Sequence, residues 1–290
     1  MSRRALLLIN RQSRNGARSF EMAIAALGRH DIEIVYPDPS LTLSEAIYAC
    51  ADRIDLVIVG GGDGSLNTAA AALMATGLPL GILPLGTAND LARTLAIPKD
   101  LNRAVAIIAA GNLRQLDVGM VNERPFFNVA SIGFSASLAK NLTAASKKRW
   151  GVLGYAFAAL KLFRQSRPFT VQIDHHGQQE TVKTMQISVG NGRFYGGGMT
   201  VEQSATPDDG QLDVYSLELD HWWEMLALAP YLRRGTHGKW RKVRAFPATA
   251  LTITTRRPHA INADGEIVGT TPAQFSIRPQ AIKVFAPPAK

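Results

Sequence analysis

The chain has 290 residues, a formal net charge of +9 and one cysteine, Cys50. With 46% hydrophobic and 19% charged residues it has the composition of an ordinary globular protein of one large domain or two, which excludes a disordered or fibrous chain. A single cysteine excludes an internal disulfide framework and fits a reducing compartment, and no apolar run has the length needed to span a bilayer.

Met1-Ser2-Arg3-Arg4 is basic and leads into Ala5–Ile9, a short apolar run that reads as a strand buried on both faces rather than a signal peptide. The chain is therefore expected to be soluble and cytoplasmic. Asn10–Gly16 is a polar, arginine-containing loop. Helical spacing over Phe20–Leu27 predicts a helix ending near Gly28. Ile32–Val35 reads as a second strand, and Ser44 is a candidate cap for a helix running to Cys50. Leu56–Val59 predicts the third strand, Leu66–Ala75 its helix, and Leu80–Leu83 a fourth strand closed by Pro84. This alternation implies right-handed crossovers and a parallel sheet with helices on both faces. In such sheets ligands bind beyond the carboxyl ends of the strands, where the loops after Ile9, Val59 and Leu83 lie.

After about Asp117 the rhythm changes. Strand-like runs recur at Phe126–Val129, Phe169–Ile173, Met185–Val189, Leu212–Leu217, Leu251–Thr254, Phe275–Ile277 and Ile282–Phe285, with turns at Asp174–Gly177 and Asp208–Gly210. They predict an antiparallel, sandwich-like second domain, interrupted by helices near Leu153–Gln165 and His221–Arg234. The boundary is expected at residues 118 and 119, with the last strand packing back on the first domain.

Three stretches carry chemistry. In Gly60-Gly61-Gly62-Asp63-Gly64-Ser65-Leu66-Asn67 the glycines permit a tight strand-to-helix turn and let a ligand approach the main chain. Free N–H groups at the helix start suit a phosphate. Asp63 would repel that phosphate unless a metal or a substrate hydroxyl sits beside it, and it reads equally as a helix cap. The loop matches neither the Walker pattern nor the dinucleotide fingerprint. Pro84-Leu85-Gly86-Thr87-Ala88-Asn89-Asp90 also lies at a strand end and opens a helix; Asn89 and Asp90 either cap that helix or face the crevice. Asp264-Gly265 between apolar runs is a hairpin signal, with Glu266 beside it, and spacing alone does not bring Glu266 to the first domain.

These stretches occur in order with Asn128–Phe134, Val189-Gly190-Asn191-Gly192 followed by Gly196–Gly198, and Pro207–Asp213. Together the motifs resemble the diacylglycerol kinase catalytic family, most closely its bacterial soluble lipid kinases, and the resemblance covers nearly the whole chain. It implies a three-layer α/β nucleotide-binding domain, a C-terminal antiparallel β-sandwich-like domain, an active site in the cleft between them, and ATP with magnesium (Mg2+). By motif, Asn10, Gly61, Gly62, Asp63, Gly64, Ser65, Leu66, Asn67 and Thr87 are expected to line the nucleotide. Asp63 and Asp90 would flank the phosphates and metal, and Glu266 matches the family's general base, with Asp63 the second candidate. Asp209, with main-chain oxygens near Thr206 and Gln211, matches a structural metal site, and Asp117 an acidic residue linking it towards the cleft. Two positions depart from the pattern: Asn10-Arg11 stands where the family has Asn-Pro, and Tyr36 where a threonine is usual.

A lipid kinase must reach a bilayer without spanning it. His221–Arg234 is apolar and aromatic, then basic, and His237–Arg244 continues the basic run; Lys147-Lys148-Arg149-Trp150 is a second cluster. Tryptophan favours membrane interfaces and clustered Lys/Arg favour anionic lipid, so peripheral docking on the inner face of an anionic membrane is expected. The same residues read alternatively as aromatics packed on the β-domain with solvated charges. The rivals are an NAD kinase, which shares the Gly-Gly-Asp-Gly loop, and a catalytically silent nucleotide- or lipid-binding regulator. Nucleic acid is not expected as a partner, because no recognition module accompanies the charge. The choice of lipid and the oligomeric state, a homodimer included, stay open.

Overall fold

The computed structural model describes residues 3–9, 16–136, 166–192, 194–195, 199–200, 206–234, 236 and 240–288. The first part alternates strand β1 (Arg3–Ile9), helix α1 (Gly16–Gly28), β2 (Ile32–Val35), α2 (Leu43–Cys50), β3 (Leu56–Gly61), α3 (Asp63–Thr76), β4 (Leu80–Pro84), α4 (Asp90–Thr94) and α5 (Leu101–Ala110). Strands then dominate: β5 (Leu113–Val121), β6 (Arg124–Phe126), β7 (Val129–Gly133), β8 (Phe169–His175), β9 (Gln178–Thr184), β10 (Gln186–Gly190), the short pair β11 (Phe194–Tyr195) and β12 (Met199–Thr200), and β13 (Leu212–Leu217). Helix α6 (Trp222–Arg234) precedes β14 (Val243–Ala248), β15 (Ala250–Thr255), β16 (Ala260–Ala263), β17 (Glu266–Thr270) and β18 (Ala273–Phe285).

Strands β2, β1, β3 and β4 lie in that order and run parallel, as continuous apolar runs buried on both faces do. Their core is shared with α1, α2, α3 and α5 through Leu27, Ile47, Leu66, Leu73 and Ile108. Helix α2 starts on a capping box: the Thr42 hydroxyl accepts from the Glu45 N–H, and the Glu45 carboxylate accepts from the Thr42 N–H. The cap is thus Thr42 rather than Ser44, whose hydroxyl instead donates to the Thr68 carbonyl on α3 at 2.7 Å.

Strand β18 ties the two halves together. Its start pairs antiparallel with β15, its end meets β4 in parallel, and β5 pairs along its length. The sheet therefore continues from the α/β layer into the sandwich through β15, β8 and β9. Residue 118 lies within β5. Across the sandwich core, Val171, Ile253 and Phe275 face Ile132, Ile187, Val214 and Ile261 of a second sheet, ordered β14-β13-β10-β7-β16-β17.

Two expected strands are redrawn. Phe275–Ile277 and Ile282–Phe285 belong to one strand whose register breaks between Arg278 and Ile282. Pro279 offers no N–H to the ladder there, and the N–H of Gln280 goes to the Asp117 carboxylate at 2.7 Å. Phe126–Val129 is two strands, because the main-chain N–H groups of Phe127 and Asn128 leave the ladder for the Asp264 carboxyl. The expected helix at Leu153–Gln165 and the cluster Lys147–Trp150 lie outside the described residues.

Candidate active site

The glycine loop ends β3 and opens α3. Gly62 is the cap residue of α3, the Ser65 and Leu66 N–H groups turn back to its carbonyl, and Asp63 occupies the first helical position. Asp63 is therefore no side-chain cap. Its Oδ1 reaches sideways and accepts from the Leu91 N–H at 3.0 Å and from the Asn128 amide at 3.5 Å. One carboxylate thus touches the neighbouring α4 and the start of the second domain.

The loop after β4 is folded onto the glycine loop. The N–H groups of Leu85 and Gly86 both donate to the Gly61 carbonyl, at 3.0 and 3.1 Å. Asn89, at φ 54°, spans this turn: its Oδ1 accepts from the Gly86 N–H at 2.9 Å and its Nδ2 donates to the Gly86 carbonyl at 2.7 Å. A Cβ on Gly86 would run into Gly62 Cα and stand 2.9 Å from Gly62 N. The two backbones meet because neither has a side chain there. Asp90 is buried at the first position of α4, with Arg93 one turn on, 4.0 Å away. Thr87 is exposed at the loop tip.

The hairpin β16–β17 closes the site from the far end of the chain. Asp264 and Gly265 form its turn, at φ 48° and 97°. The Asp264 carboxyl gathers four donors: the N–H of Phe127 (2.7 Å) and the Asn67 amide (3.1 Å) on Oδ2, and the N–H groups of Asn128 (3.0 Å) and Val129 (3.1 Å) on Oδ1. Burial pushes this carboxyl above the ordinary value; the three main-chain N–H groups pull it down, and the nearby Asp63 adds a smaller upward push. Glu266, two residues on, hangs over the start of α3, its Oε1 3.4 Å from where a Cβ on Gly64 would stand. Asp63 and Glu266 therefore share one corner, which spacing alone did not predict.

Other expected residues fall into place less simply. The Leu66 side chain is buried in the first core, so only its main chain is available to a ligand. Asn67 turns its amide to Asp264. Asn10 lies outside the described residues. Asp209 forms a separate cluster: its Oδ1 accepts from the Gln211 N–H at 3.0 Å, and the Thr206 hydroxyl stands 3.5 Å from Oδ2. Asp117 holds this loop by accepting from the Gly210 N–H at 2.6 Å. Among the described residues no three His, Cys, Asp or Glu side chains come together as a metal site. Asn191 was named in the sequence only as part of a motif and given no role, yet its amide donates to the carbonyls of Asp117 (3.0 Å) and Phe127 (3.1 Å), linking the Asp209 loop to the Asp264 hub. Its only signal was a place in a glycine-containing motif.

A family model of the diacylglycerol kinase catalytic domain matches residues 4–121, and one of the YegS C-terminal NAD kinase beta sandwich-like domain matches residues 128–286. The chain belongs to the diacylglycerol kinase family. It is thus a kinase, of a lipid-kinase family. A diacylglycerol kinase of Mycobacterium tuberculosis is 32% identical over 97% of this chain and 94% of its own length. An uncharacterised protein of Synechocystis sp. is 30% identical over 80% of this chain, which spans 54% of that protein. A crystal structure of a Bacillus anthracis protein described as a diacylglycerol kinase superposes with a TM-score of 0.80 at 24% identity, over 99% of this chain and 98% of that one, and corroborates the fold.

Two substitutions probe this packing. Gly86→Ala should lower stability by about 1–3 kcal/mol in denaturant unfolding, because the backbones must part, and should weaken nucleotide binding by calorimetry. Asp264→Asn places an amide where a carboxyl took two donors on each oxygen and should destabilise by about 1–3 kcal/mol. A folded carboxyl held above its ordinary value contributes stability that is full below that value and declines as pH rises. The gap between wild type and Asp264→Asn should therefore narrow from acid to neutral pH in parallel unfolding series.

Proposed function

We propose that the protein transfers the γ-phosphoryl group of ATP to a hydroxyl of a lipid such as diacylglycerol, phosphatidylglycerol or a sphingoid base. The observation that carries this reading is the position of Glu266, which comes from the last part of the chain to stand over Gly64, the residue after Asp63. Main-chain N–H groups at the start of α3 suit the phosphates of the donor. Glu266 accepts the proton of the lipid hydroxyl as that oxygen bonds to the γ-phosphorus. The bond to the β-phosphate oxygen breaks, and ADP leaves with the electron pair. Asp63 stands second as base; its Oδ1 is shared with Leu91 and Asn128, which suits a positioning role.

The donor set fits magnesium. Asp63 and Asp90 would supply hard oxygen donors on neighbouring strand ends, and the Asp209 carboxylate, with the Thr206 hydroxyl 3.5 Å from its Oδ2, would supply oxygen donors at a second site. Magnesium bound with ATP would neutralise phosphate charge.

Peripheral docking on an anionic membrane at the cytoplasmic face belongs to the same proposal. Among the described residues no helix is long and apolar enough to cross a membrane. On α6, Trp223 is 54% exposed and Tyr231 44% exposed, which suits an interfacial helix. Two described residues of the basic run beyond it are engaged: Lys242 binds Asp220 and Glu224, and Arg244 binds Glu180 and Glu218. Docking is thus expected to depend on the aromatic face of α6 more than on Lys242 or Arg244.

In a labelled-phosphate transfer screen over hydroxylated lipids and NAD, a lipid should be the acceptor; transfer to NAD alone would favour the NAD kinase reading. Glu266→Gln and Asp63→Ala should each lose about 100-fold or more in turnover while staying folded, and wild-type turnover in either removes that residue from the mechanism. In vesicle sedimentation, binding should rise with anionic lipid, fall with salt, and weaken in Trp223→Ala. Binding indifferent to all three would refute membrane docking by this helix.

A further inference from the structure

Four acids converge where the glycine turn, the loop after β4 and the β16–β17 hairpin meet: Asp63, Asp90, Asp264 and Glu266. A nucleoside triphosphate brings more negative charge, and the group in transfer spreads its charge over three oxygens. Arg93 brings a positive charge to the same place. It lies on α4, one turn after Asp90 and two residues after Leu91, whose N–H binds the Asp63 carboxylate at 3.0 Å. Asp90, Leu91 and Ala92 are buried, whereas Arg93 faces outward. The loop before α4 is locked onto Gly62 through Gly86 and Asn89, so the root of the Arg93 side chain is fixed relative to Asp63.

The guanidinium is held by long contacts. Its Nη2 donates to the Ala88 carbonyl at 3.5 Å, its Nε stands 4.0 Å from Asp90 Oδ1, and the side chain is 40% exposed. A saturated arginine–carboxylate pair closes to about 2.7–2.9 Å, and an exposed pair at the longer reach adds little stability. The planar fork has five N–H donors, more than these two contacts occupy. On its other side the guanidinium carbon stands 5.8 Å from the centre of the Phe194 ring. Phe194 belongs to β11 of the second domain, and β11 packs against α4. A ring at this distance attracts the cation through its face and leaves the N–H edges of the fork available. Arg93 therefore stands in the crevice between the halves, held from the first by Ala88 and Asp90 and from the second by Phe194.

Taking the protein as the lipid kinase proposed above, we propose that Arg93 is a further catalytic residue whose fork binds two oxygens of the phosphoryl group in transfer, and that Phe194 is its positioning residue. The lipid hydroxyl oxygen bonds to the γ-phosphorus and its proton passes to Glu266. The bond from phosphorus to the bridging oxygen breaks, and ADP leaves with the electron pair. Arg93 donates hydrogen bonds throughout and transfers no proton. Its contribution grows as charge moves onto the phosphoryl oxygens, so it acts on turnover more than on nucleotide affinity. The ring that orients it comes from the second domain, so the fork is in place only when both halves are seated.

Calorimetry of magnesium-ADP binding, with and without aluminium fluoride as a mimic of the phosphoryl group in transfer, needs neither acceptor nor turnover. Wild type should bind ADP about tenfold or more tighter with the mimic. Arg93→Ala should keep its affinity for ADP alone within about threefold and lose that gain, and Arg93→Lys, which has the charge without the fork, should recover only part of it. In the lipid transfer assay Arg93→Ala should lose about 100-fold or more in kcat with little change in KM for ATP, and added guanidinium should restore about tenfold. Phe194→Leu, which keeps the bulk without the ring, should lower kcat by about threefold or more, and Phe194→Tyr should not. An arginine that only supports α4 would change thermal stability and ADP affinity and would not respond to guanidinium. A wild type without the aluminium fluoride gain, an Arg93→Ala variant that keeps it, no guanidinium rescue, or a kcat in that variant within about threefold of wild type overturns the assignment. A Phe194→Leu variant that matches wild type overturns the role of the ring. A gain lost in Arg93→Ala while no lipid accepts phosphate leaves Arg93 standing and overturns the lipid kinase reading instead.

Discussion

The Asp264 carboxyl is where the protein is joined. It sits in a two-residue turn and gathers donors from the helix behind the glycine loop and from the main chain of Phe127, Asn128 and Val129, where β6 gives way to β7. Each of those donors would otherwise be a buried polar group without a partner, a state worth about 1–3 kcal/mol apiece. The carboxyl resolves them together and thereby sets the distance between hairpin and helix. Glu266 is two residues away, so its reach over α3 follows from the same contact.

A second carboxylate repeats the device. Asp117 accepts from Gly210 on one oxygen and from Gln280 on the other, pinning the Asp209 loop and the break in β18 to β5. Asn191 runs from the carbonyl of Asp117 to that of Phe127, whose N–H goes to Asp264. A chain of hydrogen bonds thus joins the Asp209 loop to the Asp264 turn. In each case a buried acid satisfies main-chain N–H groups freed where a strand is interrupted, which explains why these acids sit at the breaks in the sheet.

The parallel half was legible because its signals are local. Continuous apolar runs, glycines at strand ends and alanine-rich helices each announce themselves within a dozen residues, and β1 to β4 stand where the pattern placed them. The second half was legible in class but less so in detail. β18 was split because Pro279 interrupts its pattern, and Phe126–Val129 was fused because nothing local shows that its N–H groups have a distant acceptor. The site divides in the same way. Asp63 and the glycines could be read as a phosphate turn, whereas the convergence of Glu266, Asn128 and Asp264 on that turn rests on contacts at least 65 residues apart. Asp264 itself was read as half of a hairpin signal and as part of a motif, and only the folded chain shows what its side chain binds.

That division follows from what each substrate demands. Phosphates are held by main-chain N–H groups, and a glycine turn supplies them wherever a strand runs into a helix, so the donor side can be written in one stretch of sequence. A lipid hydroxyl offers one weakly acidic proton on an apolar body. Its recognition needs a base, neighbouring polar groups and a route from the bilayer, and no single turn carries all three. On the proposed reading the base comes from the β16–β17 hairpin and the surface that meets the bilayer from α6. These elements are brought to the phosphate turn by a long strand that belongs to both halves. On that reading donor chemistry is local in this fold, carried by one turn, and acceptor chemistry is distributed over elements far apart in the chain.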